Sequence, residues 1–100
     1  MKLIGIMSLD ADIDAVHGIF EQHNVEMFSE LSIKGHSRDT LKLYGWWPTA
    51  GNETMYSVLC FAVIDKMRAD DIMAELRRRS EDNLSEHPIR AMQVDVERFV

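Results

Sequence analysis

The chain has 100 residues, of which 46% are hydrophobic and 28% charged, and its formal net charge is −6. This length fits one domain, and the composition is that of a folded protein rather than a disordered one. The acidic balance disfavours nucleic acid or an anionic membrane as partner, because phosphate binding requires a basic face.

Targeting and membrane segments are not expected. The first residues are too few and lack a small-residue cleavage site for a signal peptide, and no apolar run approaches the roughly 18–20 residues of a membrane span. We therefore expect a single cytoplasmic domain over residues 1–100, without membrane insertion.

The first third of the chain predicts a strand, a helix and a second strand. Residues 2–9 form an apolar run that is typical of a strand. Asp10 is then predicted to cap a helix that ends near His23 and Asn24. Residues 25–34 mix apolar and polar residues as a second strand, with a bulge expected at Phe28.

The remainder predicts two more strands and one more helix. Residues 35–52 are irregular, although a short ribbon within 41–47 is an option. Residues 54–64 form the most apolar strand, which is expected in the middle of a sheet. Asp65 is predicted to cap the second helix, and residues 80–87 are predicted to form a polar loop. Apolar and polar residues alternate over 89–99, which predicts a strand with one solvent-exposed face.

The element order is therefore β-α-β-β-α-β, which predicts an α+β fold of the ferredoxin-like type. Two helices would cover one face of an antiparallel sheet. Because the strand over 54–64 is apolar on both sides, the other face also needs a cover. Packing the sheets of several subunits together supplies one, so we expect a homo-oligomer.

Cys60 is the one cysteine of the chain, so an intramolecular disulfide is excluded. It lies inside the apolar run 58–64, where cysteine usually acts as a small buried hydrophobic residue. A reactive thiol needs exposure and a cationic neighbour, and the sequence provides neither. We expect a buried, unreactive thiol.

The segment 33–38 resembles the Lys-Gly-x-Gly-Arg sequence that opens the mobile loop of the PII-like (nitrogen regulatory protein P-II-like) signalling proteins. The opening Met1-Lys2-Leu3-Ile4 and the acid-capped helix at 10–24 fit the same pattern. The resemblance extends over most of the chain in pattern rather than in identities. It implies a homotrimeric regulator that binds a small anionic effector in clefts between subunits and signals through the loop 36–52.

The chain departs from the family pattern in three places. The loop after residue 38 is short and carries Trp46, Trp47 and Pro48 in place of the usual modifiable-tyrosine context. Ser37 replaces the second glycine. Residues 80–87 contain no glycine and no lysine where the family has a glycine-rich phosphate loop, and backbone amides cradle phosphate only where glycine permits close approach. The resemblance therefore implies a divergent member, with ATP or ADP as candidate effectors and the identity of the effector left open.

The resemblance also implies a set of functional residues. Arg38 and Arg90 are the candidate anion ligands, since a guanidinium group suits phosphate or carboxylate, and Gly35 and Ser37 would add backbone and hydroxyl donors. Trp46 and Trp47 are expected to contact a target protein, such as a transporter or an enzyme, or to cover a ligand.

Two alternatives remain at this stage. The first is a metal-binding or metal-sensing trimer for copper, nickel or zinc, with His36 and His87 meeting across a subunit interface. The second is a small oligomeric enzyme of the same fold. Catalysis has little support, because neither a nucleophile turn nor a phosphate loop is present in the sequence. We therefore expect a protein that is not an enzyme.

Overall fold

The computed structural model describes residues 1–34, 43–44, 47–48, 56–82 and 89–100. Its elements in chain order are β1 (Lys2–Leu9), α1 (Ile13–Gln22), β2 (Ser29–Lys34), β3 (Leu43–Tyr44), β4 (Trp47–Pro48), β5 (Tyr56–Ile64), α2 (Lys66–Asp82) and β6 (Arg90–Asp95). A single 3-10 turn, Asp10–Asp12, precedes α1.

The main sheet has four antiparallel strands in the order β2-β5-β1-β6. Together with two helices in the order β-α-β-β-α-β, this is the predicted ferredoxin-like α+β fold. β5 lies between β2 and β1, which confirms that the most apolar strand is central. β3 and β4 form a separate two-stranded ribbon at the place where the sequence allowed one.

The hydrophobic core lies between the helices and one face of the sheet. The side chains of β1 and β5 that reach it occupy even-numbered positions, since successive residues of a strand point to opposite faces. Ile4 and Ile6 pair with Ala62 and Cys60 across the two central strands, and all four are buried. The helices contribute the buried residues Val16, Ile19, Phe20, Ala69, Ile72 and Leu76.

The opposite face of the sheet carries the odd-numbered residues of β1, β2 and β5 and the even-numbered residues of β6, and neither α1 nor α2 lies over it. We call this surface the open face; it includes Leu3, Met7, Leu31, Leu59, Phe61, Val63, Met92 and Val94. Leu31 is 44% exposed and Val94 49% exposed, while Met7 is covered by its neighbours. An apolar sheet face of this extent is the surface that the sequence predicted to need a cover.

β6 is the edge strand whose polar residues turn toward the helices. Its register with β1 places Gln93 opposite Ile4 and Asp95 opposite Lys2, on the helix side. There Gln93 donates a hydrogen bond to Asp70 of α2 at 3.0 Å, and Asp95 pairs with Lys2. The apolar residues Met92 and Val94 therefore lie on the open face. The apolar side of this alternating strand thus faces away from the helices.

Four predicted boundaries were wrong. The last strand was predicted over residues 89–99, whereas β6 ends at Asp95. Asp10 does not cap α1, which begins only at Ile13 after the 3-10 turn and without a side-chain cap hydrogen bond. β2 begins at Ser29 and has no bulge at Phe28, because Phe28 stacks on Phe20 in the connection before it. α2 runs to Asp82, since residues 80–82 contain no helix breaker.

Two helix ends agree with the sequence. α1 ends at Gln22, and Asn24 follows with a positive φ of 58°, close to the predicted end at His23 and Asn24. Asp65 caps α2 by accepting a hydrogen bond from the Arg68 N–H at 3.0 Å. Neither helix in the described ranges is long and apolar enough to cross a membrane.

Candidate functional site

Most of the predicted site lies outside the described residues. This holds for the predicted effector ligands Gly35, Ser37 and Arg38, for Trp46, and for the predicted metal ligands His36 and His87. Trp47 is described through its backbone, which pairs with Tyr44 in the small ribbon. Arg90 is described in full and begins β6 as an exposed residue.

The register of the sheet shows which strand ends lie together. β1 ends at Leu9, opposite Ser57 near the start of β5, while Lys34 at the end of β2 pairs with Tyr56. Arg90 pairs with Met7 on the other side of β1. The chain therefore leaves β2 toward Gly35 at the same end of the sheet at which Arg90 begins β6.

Lys34 and Arg90 nevertheless lie on opposite edges of the sheet. β2 and β6 are its two edge strands, separated by three strand spacings, or roughly 14 Å. The end of β2 is therefore far from Arg90.

A surface groove of about 760 Å³ lies at this end of the molecule, between the last turns of α2 and the start of β6. The residues around it include Met73, Arg77, Arg78, Glu81, Ile89 and Arg90. The apolar residues form part of the wall, and the arginines make it cationic.

Three arginines and two carboxylates, those of Asp70 and Glu81, line the groove, so its formal charge is slightly positive. Among the described residues, no carboxylate lies within ion-pair distance of Arg77, Arg78 or Arg90, whereas the adjacent Arg79 pairs with Glu75 at 3.8 Å. Asp70 also borders the groove, but its carboxylate accepts hydrogen bonds from Lys66 at 2.6 Å and from Gln93. These two hydrogen bonds, Lys66 first, lower the pKa of Asp70.

A second cluster, of side chains that could bind a metal ion, lies under α1. It was not predicted from the sequence. Glu30 of β2 pairs directly with Cys60 of β5, so both side chains lie on the helix side of the sheet. His17 of α1 lies above them, with its Nε2 atom 3.4 Å from Glu30 Oε2. The ligand atoms of His17, Glu30 and Cys60 all lie within 4.8 Å of one another.

Cys60 is fully buried, as the sequence predicted. Burial, and then the negative charge of Glu30, raises the pKa of its thiol from 9.0 to about 11. The thiol is therefore neutral near pH 7 and a poor nucleophile, which agrees with the expectation of an unreactive cysteine. The proximity of His17 and Glu30 was not predicted, because these residues are far from Cys60 in the sequence.

No protein-family model matches the sequence, and a comparison with curated proteins gives no significant match. The structure does resemble solved proteins. One is CPII from Thiomonas intermedia K12, a nitrogen regulatory PII-like protein bound to ADP, AMP and bicarbonate, with a TM-score of 0.63 and 9% identity. That match covers 99% of this chain and 94% of the CPII chain.

The chain has the fold of PII-like proteins. A second structure supports this, a protein from Thermus thermophilus described as PII-like and signalling, with a TM-score of 0.65 and 12% identity. That match covers 95% of this chain and 85% of the other. The PII-like resemblance read from the sequence is thus confirmed at the level of the fold, over nearly the whole chain.

Proposed function

We propose that residues 1–100 form one PII-like regulatory domain that binds a small anionic effector and acts by signalling rather than by catalysis. The working form would be a cytoplasmic homotrimer with its effector sites in the clefts between subunits. The loop over residues 36–52 would transmit effector binding to a target protein.

The observation that carries this proposal is the cationic groove beside Arg90. It lies at the end of the sheet from which the 36–52 loop departs, but on the opposite edge, so a bound anion would be close to the proposed signalling segment of a neighbouring copy. Guanidinium groups offer paired N–H donors that suit phosphate and carboxylate groups. Arg77 and Arg78 extend the predicted ligand set, which had contained Arg38 and Arg90.

The uncovered sheet face supports the oligomeric part of the proposal. Burying apolar side chains is favourable by about 25 cal/mol for each Å² removed from water, so a face of this kind promotes association. Arg90 shares its face with Met92 and Val94 and lies at the rim of that surface. A neighbouring copy packed there would bring a second edge strand, and its Gly35, Ser37 and Arg38, toward the groove.

The proposed effector is defined by its chemical class, a small anion. ADP, AMP and bicarbonate are reasonable probes, because each is an anion of a size that the groove can hold. Trp46 and Trp47 are proposed to contact the target protein, since adjacent large aromatic residues often dominate protein interfaces. His36 and His87 remain a proposed metal pair that would need to meet across an interface.

The arginine substitutions Arg77→Ala and Arg90→Ala test the effector site. We expect each to weaken binding of the effector that the wild type binds by about tenfold or more, because each removes one charged hydrogen bond. Isothermal titration with ADP, AMP and bicarbonate measures the change. The matched control is Arg79→Ala, which removes an arginine of the same helix that does not border the groove.

If Arg79→Ala weakened binding as much as Arg77→Ala and Arg90→Ala, the effect would be that of general charge and the groove would not be the site. If neither groove variant changed binding, the proposed ligand set would be wrong. Circular dichroism of each variant confirms that the fold is kept.

A further inference from the structure

The cluster of His17, Glu30 and Cys60 brings together three elements that are distant in sequence. His17 lies on α1, Glu30 on the edge strand β2 and Cys60 on the central strand β5. The cross-strand pairing of Glu30 with Cys60 sets their side chains next to each other. We propose that these three side chains form a binding site for a zinc-class divalent ion.

The three donor groups are those that proteins use for zinc. Thiolate sulfur, imidazole nitrogen and carboxylate oxygen are all common zinc ligands, whereas calcium and magnesium take oxygen ligands. Zinc binding would displace the proton of the Cys60 thiol, which is released to solvent. A carboxylate in the set also makes copper(I) a poorer fit, because copper(I) prefers soft sulfur donors. Three protein ligands with one position left for water give the coordination number that zinc favours.

The distances between the ligand atoms fit an ion placed between them better than they fit a direct hydrogen bond. A normal hydrogen bond between Nε2 and a carboxylate oxygen is about 2.9 Å long, and the separation of His17 from Glu30 is 3.4 Å. Zinc bonds of about 2.0–2.2 Å at tetrahedral angles place nitrogen and oxygen about 3.4 Å apart. Cys60 Sγ, within 4.8 Å of both atoms, needs a movement of about 1 Å to complete the set.

The surroundings allow an ion to enter and then hold the ligands in place. The side chains of His17 and Glu30 are 35% and 46% exposed, so the cluster opens to solvent on their side and closes at the buried Cys60. The ring of Phe28 lies 5.2 Å from the His17 ring, and Phe28 itself stacks on Phe20. These contacts limit the rotation of the imidazole.

An ion at this position would join the edge strand to the core. β2 contacts the rest of the described structure mainly through β5, and Glu30 is exposed at its start. Coordination would connect β2, β5 and α1 through one centre. This role is independent of the anion groove, which lies on the opposite edge of the sheet.

Zinc titration of the EDTA-treated protein, with a chromophoric chelator as competitor, tests the site. We expect one ion per chain, and we expect His17→Gln and Glu30→Gln each to weaken binding by at least about tenfold. Both residues are partly exposed, so these variants are expected to fold. The control His23→Gln changes the histidine that directly follows α1, which has a similar partner, Glu75, at 3.2 Å. This variant should bind zinc as the wild type does.

Cobalt(II) supplies a second readout that a merely structural effect would not change. A thiolate ligand gives cobalt an intense charge-transfer band in the near ultraviolet, which we expect in the wild type and not in Cys60→Ser. A double variant, His36→Ala with His87→Ala, should keep both the zinc affinity and the band.

Three results would each overturn the proposal. The first is a wild type that takes up no stoichiometric zinc. The second is equal loss of zinc affinity in His17→Gln and His23→Gln, or loss in the His36 and His87 double variant alone. The third is a cobalt spectrum without a thiolate band, or one that Cys60→Ser leaves unchanged.

Discussion

Cys60 is fully buried and has the carboxylate of Glu30 as a neighbour, and both features favour the protonated thiol. The pKa of the thiol rises from 9.0 to about 11 because burial disfavours the thiolate and the charge of Glu30 repels it. In the unfolded chain neither effect operates, so the thiol there ionises at its ordinary pKa. Between pH 9 and about pH 11, the native state therefore binds more protons than the unfolded state.

The free energy of unfolding of the metal-free protein should therefore fall as the pH rises from about 9 to about 11. We expect the contribution of Cys60 to be roughly 3 kcal/mol, fully present below pH 9 and lost through this window. Urea denaturation at a series of pH values measures it. Lysine and tyrosine residues also titrate there, so the informative quantity is the difference from Cys60→Ala.

Cys60→Ala removes the titrating group and leaves a small cavity, which lowers stability at every pH. Its curve should run below that of the wild type and approach it above pH 9. Parallel curves across the window would show that the native thiol ionises like an unfolded one.

Asn24 determines how the first helix ends and how it connects to the second. Its φ of 58° lies in the left-handed region, and the following Val25 N–H donates to the carbonyl of Phe20 at 2.9 Å. Its own carbonyl accepts a hydrogen bond from Arg68 of α2 at 2.6 Å. Asparagine and glycine tolerate this backbone conformation better than other residues do.

We expect Asn24→Ala to lower the free energy of unfolding by about 1 kcal/mol, because alanine has a steric penalty in the left-handed region. Asn24→Gly is the matched control and should retain nearly the stability of the wild type. Chemical denaturation measures both. Equal destabilisation by the two substitutions would mean that the asparagine side chain, rather than its backbone conformation, stabilises this turn.

The helices and strands were largely predictable because their signals are local. The apolar run of β5 identified a central strand, and Asp65 marked the start of α2 through a cap that the structure contains. The direction of β6 was not predictable from its alternation, since Gln93 and Asp95 lie on the helix side only because they find partners in Asp70 and Lys2. Such partners depend on packing, which a local pattern does not encode.

The same distinction applies to the two sites, because the residues of each come together from distant parts of the sequence. The family resemblance pointed to Arg38 and Arg90, whereas Arg77 and Arg78 are connected to Arg90 only through the groove between α2 and β6. The cluster at Cys60 depends on which residue of β2 faces it. A shift of one residue in that register would move Glu30 to the open face.

At the scale of the whole molecule, the sheet has one face covered by the helices and one that they leave uncovered. The residue Val94 is 49% exposed on the uncovered side, next to Met92, and the proposed assembly would bury it. A charge at this position would be desolvated in such an interface, which is costly without a partner. The proposal therefore predicts that the open face, and not the helical side, controls the oligomeric state.

Val94→Asp should convert the oligomer to monomers that keep the fold, as measured by size-exclusion chromatography with light scattering and by circular dichroism. The matched control is Met67→Asp, which places the same charge at an apolar side chain that is 74% exposed on α2. This variant should remain an oligomer. Dissociation of both variants, or of neither, would mean that the open face is not the interface.

Native mass spectrometry of the wild-type protein, alone and with ADP, AMP or bicarbonate, tests the proposed assembly and effector site together. We expect a trimer that binds as many effector molecules as it has subunits, since a symmetric trimer has one equivalent cleft per subunit. A monomer that binds none of these anions would contradict both the assembly and the effector site.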